Sequence, residues 1–339
     1  MSETYLKQVI DKPVSEDGKG PNVTFAASSV QGWRSTQEDA HICLPSFDKN
    51  ASLWAVLDGH NGAEVALFAS KRLPKLLLDN KNYKEGKYEI ALQEAFMAFD
   101  DLLLTPDSIQ KLITIRKSYS KLPIINANAP AIASGCTASV VLIKDNIIYC
   151  ANLGDSRSIL CRNGKAFPLS VDNKPEDDEE KARIERAGGH VTESGRVNGG
   201  INVSRAFGDH MFKRNQSMSK KEQMVIAWPV VKTEPLTPND SLMVLICDGV
   251  WNAVPPDELI AYVSRRTTKH KQLSKICEEV FAQILPKEMP KHGIIGKDNM
   301  TFLIVKFEST AAFKRTNSVS PNAGQKQRAV EDMESEKVG

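Results

Sequence analysis

Among the six cysteines of this 339-residue chain there is no CxxC pair, and no apolar run approaches the roughly 20 residues that a membrane helix needs. The first absence argues against a structural zinc site or a disulfide framework. Cys43, Cys136, Cys150, Cys161, Cys247 and Cys277 read as reduced thiols, mostly inside strand-like apolar runs, where they behave as small hydrophobes. The second absence argues against a transmembrane helix, since the longest apolar runs are as short as Leu242 to Cys247. The opening "MSETYLKQVIDKPVSEDGKG" lacks the apolar centre of a secretory signal, and Ser2 stands where N-myristoylation requires glycine. A cytoplasmic and/or nuclear location is the expectation. An excess of one charge is missing too, with 44 Lys plus Arg against 42 Asp plus Glu, so neither a nucleic-acid nor a membrane surface is expected. No GxxxxGK[ST] phosphate loop occurs, which argues against the corresponding nucleotide hydrolases.

What is present is a series of short apolar runs separated by turn signals. Strands are expected at 25–30, 41–44, 53–57, 137–143, 147–152, 158–161, 242–247 and 301–307. Helical spacing covers 63–78, 88–104, 175–187, 256–266 and 271–285, the third stopping at Gly188 and Gly189. "KDNII" and "CRNGKA" read as hairpin turns. Strands joined by hairpins, with helices in separate blocks, predict an α+β fold with antiparallel sheets. Residues 1–22 form an N-terminal extension of weakly tail-like composition. Residues 105–133 and 210–228 read as irregular surface insertions, and 309–339 as a disordered tail, leaving 23–308 as the domain.

Acids punctuate these runs. "WAVLDG" ends on Asp58, "ANLGD" on Asp155 and "LMVLICDG" on Asp248, while Glu38, Asp39 and Asp298 precede others. Taken singly, each could cap a turn. In an antiparallel sheet, however, one edge collects the ends of some strands and the starts of their neighbours. Two carboxylates about 4 Å apart repel by roughly 4 kcal/mol at an effective dielectric near 20, so converged acids need a cation. Oxygen donors without a Cys/His cluster favour Mg²⁺ or Mn²⁺ over Zn²⁺. Two such ions sharing a carboxylate would lower the pKa of a water held between them, which suits phosphate-ester hydrolysis. Arg34 could grip phosphate oxygens, and His60 could protonate an alkoxide leaving group. The alternatives are a surface ion pair for Arg34 and a satisfied turn histidine for His60.

The segments "QGWRSTQEDAH", "WAVLDGHNGAEVA", "SGCTASVVLI", "ANLGDSRSILCRNGKA", "DNKPEDDEEKARIERAGGHV", "RVNGGINVSRAFGD", "LICDGVWNAV" and "KDNMTFLIVKF" resemble the metal-dependent type 2C protein serine/threonine phosphatases, in the family's order across about Val23 to Phe307. The resemblance implies two packed antiparallel β-sheets forming a central sandwich flanked by α-helices on both sides. It implies two ions, with Asp58 bridging them, the Gly59 carbonyl ligating one, and Glu38, Asp248 and Asp298 completing the pair. Arg34 would bind phosphate, His60 would be the general acid, and Asp39 and Asn299 would orient ligands or waters. Asp155 falls at a third, weaker site, for which many relatives supply a further aspartate where this chain has Asn252. Residues 172–202 would be the flap beside the active site. Arg157 and Arg205 are expected in structural ion pairs. The implied partners are phosphoprotein substrates acted on by a monomer.

The sequence lacks a cysteine followed six positions later by arginine, and lacks a GNHE segment, so the other two phosphatase chemistries are disfavoured. Two rivals remain at this stage. One is a phosphoprotein-binding scaffold without turnover, disfavoured because every central carboxylate is present. The other is a hydrolase of small phosphate esters using the same ions, which sequence separates poorly.

Overall fold

The computed structural model describes residues 5–119, 126, 128–269, 272–291, 293 and 295–308. The expected tail at 309–339 and Lys271, at the start of the fifth expected helix, lie outside the described residues. The first strands are β1 (Tyr5–Ile10), β2 (Val14–Gly20), β3 (Val23–Val30), β4 (Gly32–Arg34), β5 (Ala40–Asp48), β6 (Ala51–Leu57) and β7 (Gly59–His60). After the helices α1 (Glu64–Asp79), α2 (Lys81–Lys84), α3 (Tyr88–Leu102) and α4 (Pro106–Tyr119) come β8 (Gly135–Cys136), β9 (Ala138–Lys144), β10 (Ile147–Leu153), β11 (Arg157–Arg162) and β12 (Lys165–Pro168). The chain continues through α5 (Asp178–Arg186), β13 (Phe207–Gly208), β14 (Val230–Pro235), β15 (Asp240–Ile246), α6 (Asp248–Trp251), α7 (Pro256–Arg266), α8 (Ser274–Ile284) and β16 (Met300–Phe307).

Two antiparallel sheets, ordered β14-β10-β9-β6-β5 and β12-β11-β15-β16-β3-β2, pack face to face. The central strands β6 and β9 are buried on both faces, and their side chains alternate between two cores. Trp54, Val56, Val141 and Ile143 face the other sheet, whereas Leu53, Ala55, Leu57, Val140 and Leu142 face the layer containing α1 and α3. Across the sandwich the Phe25 and Trp54 rings meet edge-on at 5.1 Å, a pairing that contributes about 1 kcal/mol beyond its area. Helices α7 and α8 cover the outer face of the second sheet. The sandwich flanked by helices on both sides is therefore as the resemblance implied. Both expected hairpins have two successive left-handed residues, Asp145 and Asn146 (φ 49° and 64°) and Asn163 and Gly164 (φ 53° and 74°). That is the backbone of a type I′ turn.

Three sequence readings need correction. The first twenty residues are not tail-like throughout: β2 pairs with β3 in continuous register from Val14↔Ser29 to Gly20↔Val23, and β1 pairs with β4. "VSEDGKG" carries no apolar pattern because β2 is a solvent-facing edge strand, held by backbone hydrogen bonds and kept polar as exposed edges are. The block 105–133 contains α4, whose buried positions are Ser108, Leu112 and Arg116. These sit one turn apart on a single face, but two of the three are polar, so hydrophobic periodicity could not find the helix. The 210–228 block is irregular yet anchored, with Phe212, Val225, Ile226 and Ala227 buried and Lys213 ion-paired to Asp100 at 2.9 Å.

Candidate active site

Strand register assembles the acids. Ala40 of β5 faces Leu57 of β6, so Glu38 and Asp39, just before β5, lie beside Asp58, just after β6. Ile246 of β15 faces Phe302 of β16, which brings Asp248 alongside Asp298 and Asn299. Asp155 follows β10, and its carbonyl accepts a hydrogen bond from Trp251 Nε1 at 2.9 Å. Donor atoms of Asp39, Asp58 and Cys247 all lie within 4.8 Å of one another.

The electrostatics of this edge are one-sided. Burial, then the charges of Asp39, Asp248, Asp298 and Asp155, push the Asp58 carboxyl well above the usual range. Burial, then Asp155, Asp298 and Asp39, do the same to Asp248, against a smaller opposing effect of Arg34. Asp155 is raised to about 6 by burial and by Asp172. Asp39 is raised to about 7, chiefly by burial, although the Thr301 hydroxyl donates to its Oδ2 at 2.6 Å. Only protons or a bound cation relieve such crowding.

The residues fit a divalent cation. Asp39 Oδ1 is buried with no hydrogen-bond partner among the described residues. The backbone is stripped of side chains where the loops converge: a Cβ on Gly59 would lie 2.3 Å from the Glu38 carbonyl oxygen, and one on Gly249 would lie 2.0 Å from that of Asn299. The donors are carboxylate and carbonyl oxygens, suited to a hard ion. The Cys247 sulfur is close, but burial and the Asp39 and Asp58 charges push its thiol well above the ordinary range, and it accepts a hydrogen bond from the Thr301 N–H at 3.1 Å.

Hydrogen bonds lock the loops. Glu38 accepts from the Thr36 hydroxyl at 2.7 Å and from the Gly62 N–H at 2.8 Å, and its own N–H donates to Asn299 Oδ1 at 2.9 Å. The Asn299 amide also donates to the carbonyls of Gln31 and Thr36, stitching the start of β16 to the β4–β5 loop. Thr137 N–H donates to the Asp58 carbonyl at 2.9 Å. Asn252 donates to Asp248 Oδ2 at 3.3 Å. Arg34 pairs with Asp298 at 2.5 Å, and its Nε is buried without a partner among the described residues. Arg157 and Arg205 do form ion pairs, with Asp172 at 2.9 Å and Glu180 at 2.5 Å. The 172–202 segment is rooted next to Asp155, since Gly154 and Asn173 exchange hydrogen bonds.

Several contributors escaped the sequence reading. His60 Nε2 lies 2.6 Å from Asp209 Oδ2, a buried carboxylate at the end of "RAFGD". Burial opposes protonation of His60, yet Asp209, Glu38 and Asp155 together raise its pKa. Arg116 of α4 donates to the Asn61 carbonyl at 2.5 Å and pairs with Glu64 at 3.1 Å, pinning the "DGHNG" loop from a segment expected to be an insertion. The Tyr5 ring lies 5.8 Å from the Arg34 guanidinium. For Asp209 a sequence signal existed, since it ends the family-like segment "RVNGGINVSRAFGD"; Arg116 and Tyr5 lie in stretches with no pattern.

A sandwich with a ring of carboxylates along one shared edge describes a metal-dependent hydrolase. The family model for protein phosphatase 2C matches residues 23–288. "Probable protein phosphatase 2C 3" of Paramecium tetraurelia is 44% identical over 305 residues, covering 89% of this chain and 98% of the relative. "Protein phosphatase 2C homolog 2" of Schizosaccharomyces pombe is 37% identical, covering 91% and 79%. A solved phosphatase from Toxoplasma gondii superposes with a TM-score of 0.68 at 25% identity, covering 88% of this chain and 96% of that one. The chain belongs to the protein phosphatase 2C family, the metal-dependent hydrolases that dephosphorylate serine and threonine in phosphoproteins.

Proposed function

We propose that catalysis runs on two Mg²⁺ or Mn²⁺ ions held by Glu38, Asp58, the Gly59 carbonyl, Asp248 and Asp298, with Asp155 at a weaker third position. The observation that carries this reading is the gathering of these acids on one edge, where burial and neighbouring carboxylates raise both Asp58 and Asp248. Bound there, the ions supply Lewis acidity and a lowered water pKa. Arg34 binds the phosphate of the substrate, and its unpartnered Nε supports that role. His60, kept protonated by Asp209, gives a proton to the departing serine or threonine oxygen. Asp39 and Asn299 hold the ligand loops in place. The Asn252 amide brings no charge to the third position, so affinity there is low. The protein works as a monomer in the cytosol or nucleus, on phosphoproteins and not on nucleic acid or membranes. Phosphopeptide hydrolysis by the purified chain with Mn²⁺, then with chelator, tests the central claim. Turnover that survives chelation overturns it.

A further inference from the structure

The two sheets have a second meeting place, remote in chemistry from the all-oxygen centre. β5 is the edge strand of the first sheet and β2 the edge strand of the second, and they lie side by side along the same open margin of the sandwich. His41 and Cys43, two residues apart on β5, pair with Val56 and Trp54, whose side chains face the space between the sheets. Directly opposite residues on an antiparallel pair share a face, so His41 and Cys43 face that space too. On β2, Ser15 and Asp17 turn outward to α8, bonding Glu278 at 3.0 Å and the Ser274 N–H at 3.0 Å. Glu16, between them, therefore turns inward. Its Oε1 lies 3.0 Å from His41 Nε2, and one donor atom from each of Glu16, His41 and Cys43 lies within 4.8 Å of the others.

We propose that Glu16, His41 and Cys43 bind one transition-metal ion of Zn²⁺ type, which clips the two edge strands together. Imidazole and thiolate beside a carboxylate are donors that Zn²⁺ takes, whereas Mg²⁺ selects oxygen alone. With metal–donor bonds of about 2.0–2.3 Å, tetrahedral donors stand about 3.5 Å apart, so the three need only small rotamer shifts. Glu16 is half exposed, which leaves a route for the ion and a fourth position for water. Burial and the adjoining Glu16 charge keep the Cys43 thiol protonated in the metal-free chain. Ligation replaces its S–H bond by an S–metal bond, and the proton leaves to solvent. Neither strand carries the whole site, so the ion binds the folded sandwich and stabilises it against the unfolded chain.

The test uses the full chain in excess Mg²⁺, titrated with Co²⁺ as a spectroscopic stand-in and then with Zn²⁺. The wild type should develop a saturable thiolate-to-cobalt charge-transfer band that Zn²⁺ displaces, and Zn²⁺ should raise its melting temperature. Cys43→Ser and His41→Gln should lose the band and the zinc-dependent shift while melting normally without zinc. Their zinc affinity should fall by more than the roughly 100-fold that loss of an outer-shell partner costs. No saturable band in the wild type, or a band retained by Cys43→Ser, which would place the sulfur ligand elsewhere, overturns the proposal. So does a zinc-dependent shift in both variants as large as that of the wild type.

Discussion

Two sets of carboxylates among the described residues shift in opposite directions although burial acts on both. At the strand-end cluster, Asp58 and Asp248 are forced upward by burial and then by the other acids each faces. On α5, Glu180 is buried as well, but Arg205, Arg183 and the Ser204 hydroxyl outweigh that burial and hold its carboxyl down at about 2. Both are carboxylates on which burial acts upward, so the cations nearby decide the sign. The second cluster carries its own counter-charges. The first sets Arg34, paired with Asp298, against several more acids, and that excess of negative charge lowers stability unless a cation offsets it.

The largest break in that contrast is Asp58→Asn. Phosphopeptide turnover should drop by about 10³-fold or more, because the proposed two-ion site would lose the carboxylate that both ions share. The same variant should melt higher than wild type in chelator, since one repelling charge is gone; calorimetry that finds it less stable would count against the crowding described above. Glu180→Gln should do the reverse. It strands two buried guanidinium groups at a cost of about 3 kcal/mol, read as a melting point lower by roughly 5 °C in the same chelator buffer.

Next in size is His60→Gln, which should slow alkyl phosphates by about 10²-fold and aryl phosphates much less, because phenolate departs without a proton. Equal losses on the two substrates would remove His60 from the acid role. The smallest effect is a pH trend in stability. Glu180 titrates at about 2 in the fold against 4.5 ordinarily, so its contribution is complete above pH 4.5 and disappears as pH falls toward 2. Denaturant melts should accordingly show the wild type and Glu180→Gln converging across that window.

Much of the architecture could be read from local pattern. The runs around Trp54, Val141 and Leu245 are strand-length and apolar because their strands are covered on both faces. The turns at Asp145–Asn146 and Asn163–Gly164 are built from residues that tolerate left-handed backbone. What stayed hidden shares one trait, that its apolar signal is absent. β2 is polar because an edge must be, and α4 buries Arg116 where a hydrophobe would have marked the helix. The tie between His60 and Asp209 joins residues 149 positions apart, and no periodicity encodes it.

By itself the sequence determined the core strands, the hairpin turns and the placing of an acid at the end or start of each of several strands, because those depend on local propensity and on burial period. Only the tertiary structure decided that the acids share one edge with more negative than positive charge, that Arg116 and Asp209 brace the loop between them, and that β2 and β5 bring Glu16 to His41 and Cys43. Coulomb interactions and side-chain hydrogen bonds act through space, and the register of distant strands sets which partners they find.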